Sequence, residues 1–197
     1  MTDTGFDFAY YNRYSVFCGI DEAGRGCLCG PVCAAAVILP KNAELKGVDD
    51  SKKLSPKKRE ELYGVITSQA VSWCAAFASP EEIDRLNILK ATFLAMKRAV
   101  ESLDPAPEFA LVDGNRCEGL GVPFECIVKG DSKSLSIASA SIIAKVTRDR
   151  YMNELAKRYP MYALDEHKGY PTEKHYEKIR EYGICDIYRK TFLKRMH

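Results

Sequence analysis

The sequence predicts an α/β fold in which helices flank a mixed β-sheet. Five short apolar runs, each bounded by glycine, proline or acidic residues, indicate strands, and segments with helical signals lie between and after them. The chain has 197 residues, of which 46% are hydrophobic and 28% are charged, as in an ordinary globular protein. It fits one domain, because domains usually span ~100–200 residues.

The first three predicted strands follow one another early in the chain. The first is Phe17–Ile20, which ends at Asp21 and Glu22. The second and third are Val32–Leu39 and Ala70–Ala78. Short connections favour antiparallel neighbours, so these three strands are expected to form an antiparallel meander.

Two helices are predicted from their starting signals. Ser55 is placed as an N-cap with proline at the first helical position, which predicts a helix over Pro56–Ser68. Ser79 and Glu82 can form a capping box that starts the next helix. The apolar residues after it recur at threes and fours and are expected to face the core; they are Ile83, Leu86, Leu89, Phe93, Met96, Val100 and Leu103.

Two later strands are each followed by an aspartate. Phe109–Val112 is a short apolar run closed by Asp113, and Phe124–Val128 is a second run followed by Asp131. Their longer connections favour parallel additions to the sheet. The sheet is therefore expected to be mixed.

The C-terminal third of the chain is predicted to be helical. A long helix is expected to start near Ser132–Ser136 and to end at about Arg158, and its small side chains are typical of a helix that packs closely on a sheet. A final helix is expected over Thr172–Tyr182, with Thr172 as its N-cap. The single domain, residues 1–197, is thus expected to comprise a core at about 16–158 and a helical extension at 159–197.

Composition and patterning exclude several classes of protein. The longest nearly apolar run, Val32–Leu39, is far shorter than the ~18–20 residues that span a bilayer. The segment Met1–Tyr14 has no secretory signal pattern, so a cytoplasmic location without membrane contact is expected. The formal net charge of +2 excludes a histone-like polycation. No zinc is expected, because the spacing of Cys27, Cys29 and Cys33 is not that of a zinc site.

Four acidic residues are the candidate chemical groups: Asp21, Glu22, Asp113 and Asp131. Three of these four positions come just after predicted strands. Neighbouring strands are ~4.8 Å apart, so carboxylates at their ends can converge. Converging carboxylates repel one another unless a hard divalent cation such as Mg²⁺ neutralises them. The alternative is that each acid is a solvated turn residue, which is common for an aspartate before glycine, as at Asp113.

Four local motifs link these acids to one family. They are Gly19–Gly26 (GIDEAGRG), Asp50–Leu54 (DSKKL), Lys129–Asp149 and His167–Thr172 (HKGYPT). In this order and spacing, over about residues 16–175, the chain resembles ribonuclease HII, the type 2 ribonuclease H family. The resemblance implies the ribonuclease H-like fold, a five-stranded mixed sheet flanked by helices.

The resemblance also implies a reaction. It assigns Asp21, Glu22, Asp113 and Asp131 as catalytic residues that bind two divalent ions, Mg²⁺ or Mn²⁺. The implied enzyme is an endonuclease that hydrolyses the RNA strand of RNA–DNA hybrids and cuts 5′ of single ribonucleotides in duplex DNA. Its products would carry 3′-hydroxyl and 5′-phosphate ends, and its roles would be ribonucleotide removal and primer processing in DNA replication and repair.

The substrate contacts are also implied by resemblance. The segment Gly24-Arg25-Gly26 matches one whose backbone senses the ribonucleotide 2′-hydroxyl, and glycines allow such close approach. Tyr170 matches a tyrosine that stacks on the next sugar. Ser51 and Lys52 lie where a loop could grip backbone phosphate. Without the resemblance, Tyr170 would be interpreted as a packed turn residue and Lys52 as a solvated surface residue.

Three alternative identities fit the sequence less well. Ribonuclease HIII has a glutamate at the fourth acidic position and a Gly-Thr-Gly segment, whereas this chain has Asp131 and Gly-Arg-Gly. Ribonuclease HIII also has an additional N-terminal domain, which is not expected here because the segment before the first predicted strand is short. A resolvase-like or integrase-like nuclease would not need 2′-hydroxyl recognition. A catalytically silent hybrid-binding module would not need all four acids.

Several features of the sequence have no assigned role. Cys27 and Cys29 stand where proline and a small residue are more typical of the family, and a thiol near the site could be oxidised. His167 and His175 are expected in supporting or surface positions rather than as metal ligands. A monomer is expected, and Thr191–Leu193 is at most a degenerate clamp-binding segment, so clamp binding is unsupported.

Overall fold

The computed structural model describes residues 4–43, 45–48, 51 and 54–193. Its centre is a five-stranded sheet with the order β3-β2-β1-β4-β5. The strands are β1 Phe17–Ala23, β2 Val32–Ile38, β3 Ser72–Ala78, β4 Phe109–Asp113 and β5 Phe124–Ile127. β1, β2 and β3 pair antiparallel, whereas β4 and β5 are parallel to β1 and to each other. The predicted mixed sheet is confirmed.

Seven α-helices surround the sheet within the described residues. They are α1 Thr4–Tyr11, α2 Pro56–Gln69, α3 Pro80–Leu86, α4 Ile88–Glu101, α5 Leu135–Arg158, α6 Leu164–His167 and α7 Glu173–Tyr182. Short 3-10 turns are formed by Gly130–Ser132, Pro160–Tyr162 and Lys190–Phe192. The predicted N-caps Ser55 and Thr172 and the capping box of Ser79 with Glu82 are all present.

Two helical predictions differ from the structure. The single helix expected after Ser79 is two helices, because Asn87 has a φ of 74° and interrupts the backbone hydrogen bonding. Its Oδ1 accepts from the Lys90 amide at 3.1 Å and caps α4, as asparagine readily does. Helix α1 is not predicted from the sequence; its residues Phe6 and Tyr10 pack in a buried cluster with Phe17 of β1 and Leu111 of β4.

The sheet is covered on both faces. Helix α4 covers one face with Phe93, Met96 and Val100, which are buried as the apolar stripe predicts. Helix α5, with α2 beside it, covers the other face. A Cβ on Gly19 of β1 would lie 2.2 Å from the Ser136 carbonyl carbon, so strand and helix are in backbone contact. This contact brings the N-terminus of α5 to the middle of the sheet.

The C-terminal segment packs beside the loop that joins β1 and β2. Leu28 and Tyr188 share a buried apolar cluster with Met152 of α5. Asp84 of α3 accepts hydrogen bonds from the amides of Lys190 and Thr191, each at 2.9 Å. The segment Thr191–Leu193 is therefore held against α3 through Thr191. The division of the domain at residue 158 stays a prediction.

Across the described ranges, no helix has the length and apolar character needed to cross a bilayer.

Candidate metal centre and active site

Three of the predicted acids meet at one point. Asp21, Asp113 and Asp131 each offer a carboxylate oxygen, and these three oxygens all lie within 4.8 Å of one another. The parallel register of β1 and β4 explains the first pair, because Ile20 is opposite Val112 and the two aspartates come next on their strands. The convergence expected from the sequence is thus present for these three residues.

Side-chain alternation places the pair on the α5 face of the sheet. Gly19 touches α5, and Leu111 of β4 packs on Ile137 of α5. Residues two positions further along a strand lie on the same face, so Asp21 and Asp113 face α5 as well. Asp21 does not lie past the end of its strand as predicted: β1 continues to Ala23 because β2 pairs with it there.

Asp131 reaches the site from the turn before α5. The Asp113 Oδ1 atom accepts from the Gly130 amide at 2.7 Å and from the Asp131 amide at 3.4 Å. A Cβ on Gly130 would lie 2.6 Å from Ile137 Cδ1 and 3.3 Å from Asp113 Oδ1. The absence of a side chain at Gly130 therefore lets this turn close onto β4.

The cluster concentrates negative charge in a buried place. Asp21 is only 5% exposed. Burial, followed by repulsion from Glu22 and Asp113, raises the pKa of Asp21 well above its usual range, against hydrogen bonds from Ser141 and the Glu22 amide. Three hard oxygen donors that repel one another fit a hard divalent cation, which would relieve the repulsion on binding.

Glu22 lies outside this group of three. As the next residue of β1, its side chain leaves the strand on the other side from Asp21, although its charge is near enough to raise the pKa of Asp21. Its Oε1 accepts from Arg25 Nη1 at 3.2 Å. The structure therefore brings three of the four predicted ligands together and places the fourth beside Arg25.

Ser141 is a site residue that the sequence did not single out. It is buried in α5 and hydrogen-bonds to the Asp21 carboxylate. Its Oγ is also 2.9 Å from the Ser51 Oγ. Ser51 is itself buried, so it supports the acidic group through Ser141, and its predicted phosphate contact stays a prediction. Lys52 lies outside the described residues.

The predicted Gly24-Arg25-Gly26 segment begins the loop after β1. Gly24 has a φ of 91°, and a Cβ there would lie 1.9 Å from Arg148 Nε, so glycine is required on both counts. A Cβ on Gly26 would meet nothing within 4 Å. Arg25 and Gly26 are exposed. One end of the segment is thus packed against the protein and the other faces open space.

Tyr170 lies close to this loop. The Leu28 amide donates to the Gly169 carbonyl at 2.8 Å, which ties the two segments together. The Tyr170 ring is partly exposed, with Lys145 Nζ at 5.4 Å from its centroid. It lines an open cavity of about 460 Å³ that Lys145 and Lys168 also line. Asp149, Asp165 and Glu166 line the cavity as well, and Lys145 is paired with Asp149 at 2.7 Å. The partly exposed ring itself offers a face on which a sugar or base can stack.

The two thiols that depart from the family pattern are sequestered. Cys27 and Cys29 are fully buried. Burial raises the pKa of both thiols, to about 12 for Cys29, so each is held as the unreactive thiol. Their burial disfavours oxidation at these positions.

The two predicted histidines lie behind Tyr170, stacked on each other with centroids 4.1 Å apart. Both are buried rather than on the surface. The Nδ1 of His175 donates to the Tyr170 carbonyl at 2.9 Å, because a carbonyl can only accept. Its Nε2 therefore accepts from the Tyr188 hydroxyl at 3.1 Å. His175 thus holds the backbone of Tyr170 through Nδ1, and it needs to be neutral for Nε2 to accept from Tyr188.

The stability of the fold should decrease in mild acid because of His175. Burial lowers its pKa to about 4, against 6.5 as the ordinary value. The unfolded chain takes up the proton first, so this contribution is complete above pH 6.5 and is lost as the pH falls towards 4. We expect a loss of roughly 2–3 kcal/mol across this window.

This expectation is checked by urea unfolding at pH 7.5 and at pH 5.0. The pKa of His167 is lowered too and adds in the same direction. The variant His175→Asn keeps a donor for the Tyr170 carbonyl but cannot titrate, so its stability should depend less on pH. Equal pH dependence in the two proteins would contradict the assignment.

Comparison with known proteins identifies relatives along almost the whole chain. The family model described as Ribonuclease HII matches residues 18–197. A ribonuclease HII of Burkholderia vietnamiensis is 54% identical over 192 residues, covering 98% of this chain and 88% of the relative.

Two solved structures share the fold. The ribonuclease H2 of Pyrococcus horikoshii has a TM-score of 0.77 at 30% identity, covering 89% of this chain and 93% of the other. The RNase HII of Archaeoglobus fulgidus, solved in a complex with PCNA, has a TM-score of 0.75 at 30% identity, covering 88% and 93%. The sheet and helices described above are therefore those of a ribonuclease H-type protein.

Proposed function

The chain belongs to the ribonuclease HII family, whose members are metal-dependent endoribonucleases. We propose that it cuts the RNA strand of RNA–DNA hybrids. We propose that it also cuts duplex DNA that contains single ribonucleotides, on the 5′ side of the ribonucleotide. The observation that carries the proposal is the group of Asp21, Asp113 and Asp131, in which Asp21 and Asp131 are buried and Asp113 is half-buried, with carboxylate oxygens within 4.8 Å. Few other functions would favour three repelling acids at one buried point, since their mutual repulsion costs stability without a cation.

The three aspartates would hold divalent cations, Mg²⁺ or Mn²⁺, and Glu22 beside Arg25 would complete the set of ligands. When bound, two such ions supply an activated water and a stabilised leaving oxygen, giving 3′-hydroxyl and 5′-phosphate ends. The role of Asp113 includes positioning, because its Oδ1 fixes the turn that carries Asp131. Ser141 orients Asp21 by hydrogen bonding to its carboxylate.

Ribonucleotide recognition would come from the segment Gly24-Arg25-Gly26 and from Tyr170. The exposed backbone at Gly26 is open to close approach by a ligand. A 2′-hydroxyl both donates and accepts hydrogen bonds, so backbone groups can distinguish RNA from DNA here. Arg25 is exposed and would contact phosphate, as we also infer for Lys52 in the neighbouring motif.

The wider biological setting stays a prediction. Roles in ribonucleotide removal and primer processing follow from the proposed substrate, and the monomeric state and cytoplasmic location rest on the sequence. The complex with PCNA is a property of the Archaeoglobus fulgidus relative. Clamp binding stays unsupported in this chain, where Lys190 and Thr191 are bound to Asp84.

The proposal is tested with two duplexes that differ in one hydroxyl group. The protein is incubated with Mg²⁺ or Mn²⁺ and either a DNA duplex that holds one ribonucleotide or the matched all-DNA duplex, and the products are sized. We expect a single cut, 5′ of the ribonucleotide, in the first duplex only. Cutting of both duplexes would instead indicate a resolvase-like nuclease, and binding without cutting would indicate a silent hybrid-binding module.

A further inference from the structure

Two buried arginines lie beneath the loop that begins with Gly24. Arg148 of α5 and Arg189 of the C-terminal segment are both fully buried. Among the described residues neither guanidinium is paired with a carboxylate; both donate instead to backbone carbonyls of the loop region. Burying a cation is costly unless its hydrogen bonds are needed. Their placement therefore indicates a positioning task.

The two arginines hold different parts of the loop. Arg148 donates to carbonyls at the far end of the loop and beyond it, those of Cys29 (3.3 Å), Pro31 (3.0 Å) and Lys168 (3.0 Å). At the near end Arg148 packs on Gly24, and Arg189 supplies the hydrogen bond: its Nη1 donates to the Arg25 carbonyl at 2.9 Å. Its Nε donates to the Gly30 carbonyl, also at 2.9 Å. Arg189 thus spans the loop and holds both of its ends.

The bond to the Arg25 carbonyl sets the direction of the next amide. A trans peptide is planar, with its C=O and N–H pointing in opposite directions. Because the Arg25 oxygen is bound to the buried Arg189, the Gly26 N–H points away from the protein interior. Gly26 is exposed, and a Cβ there would meet nothing within 4 Å. The amide is therefore presented to the open space in which a nucleotide would lie.

We propose that Arg189 is a positioning residue for ribonucleotide recognition, which holds the Arg25–Gly26 peptide with its N–H directed at the substrate. This inference rests on the proposed function and adds a residue from the C-terminal segment to it. The rest of the loop has other anchors, since Leu28 is bonded to Gly169 and Gly30 to Ile187 through their backbones. The Arg25–Gly26 peptide is spanned by a long turn bond from the Cys27 amide to the Gly24 carbonyl, at 3.3 Å. The shorter bond from Arg189 is therefore expected to fix its direction, and loss of Arg189 would loosen this peptide in particular.

The test compares binding of the two matched duplexes with Ca²⁺ in place of Mg²⁺, so that complexes form without turnover. The ratio of the dissociation constants for all-DNA and single-ribonucleotide duplexes is measured by fluorescence anisotropy. In Arg189→Gln and Arg189→Lys the ratio should fall roughly fivefold to tenfold, as expected when one well-placed hydrogen bond is lost. Lysine keeps the charge but has no fork with which to hold both carbonyls.

A matched control separates positioning from folding. Leu193→Ala removes buried apolar surface from the same C-terminal segment and leaves the hydrogen bonds of Arg189 to the loop in place. It should lower the melting temperature but keep the wild-type ratio of dissociation constants. An unchanged ratio in either folded Arg189 variant would overturn the inference. A wild-type protein that binds both duplexes equally would reject the proposed 2′-hydroxyl recognition itself, and the inference with it.

Discussion

Replacing Asp21 with asparagine is expected to reduce cleavage by roughly a thousandfold or more while leaving the fold at least as stable. Asparagine matches aspartate in size and can keep the hydrogen bonds to Ser141 and the Glu22 amide. It removes the charge that a divalent cation requires, and it also removes the repulsion from Glu22 and Asp113 that raises the pKa of Asp21. Activity and stability should therefore change in opposite directions.

Two measurements check this expectation. Cleavage of the single-ribonucleotide duplex is timed with Mn²⁺, and the free energy of unfolding is measured in urea with and without Mn²⁺. Mn²⁺ should stabilise the wild-type protein more than the variant, because a ligand that binds only the folded state raises its stability. Asp104→Asn makes the same change at an exposed residue and should leave all values near wild type. Cleavage within tenfold of wild type in Asp21→Asn would contradict a catalytic role.

Replacing Gly19 with alanine is expected to destabilise the protein by about 3 kcal/mol or more. The added Cβ would lie 2.2 Å from the Ser136 carbonyl carbon and 2.4 Å from the Ile137 amide nitrogen. Because both are backbone atoms, no side-chain rotation can relieve the clash. Helix α5 would have to move away from β1. Because α5 carries Ser141 and starts just after the turn that holds Asp131, cleavage by the folded fraction should decrease as well.

Gly64→Ala is the matched control for this second prediction. Gly64 lies in the middle of α2, is exposed, and has nothing within 4 Å of an added Cβ. Alanine is favoured over glycine by roughly 0.5–1 kcal/mol in a helix, so this variant should be slightly more stable. Urea unfolding of both variants gives the comparison. A Gly19→Ala protein as stable as wild type would show that strand and helix do not touch at this point.

The elements that were predicted correctly are those with local signals. The strands β1 to β5 are short apolar runs closed by residues that end strands, and Ser55, Ser79 and Thr172 start helices because their side chains accept from amides a few residues away. Such contacts lie within one turn of chain and can be recognised without the fold. The interruption at Asn87 has a local cause too, but the continuous apolar spacing on both sides of it concealed the break.

What the sequence alone determined was the order of the five strands, the family, and the candidate acids. What only the tertiary structure decided was how those acids are arranged and held. Glu22 is separated from the three aspartates by strand alternation, Ser141 reaches Asp21 from another element, and Arg189 meets Arg25 across 164 residues of sequence. Contacts of this range depend on the register of β1 with β4 and on the closeness of α5 to Gly19. The register and this close approach result from packing, and the spacing of residues within a single motif does not indicate them.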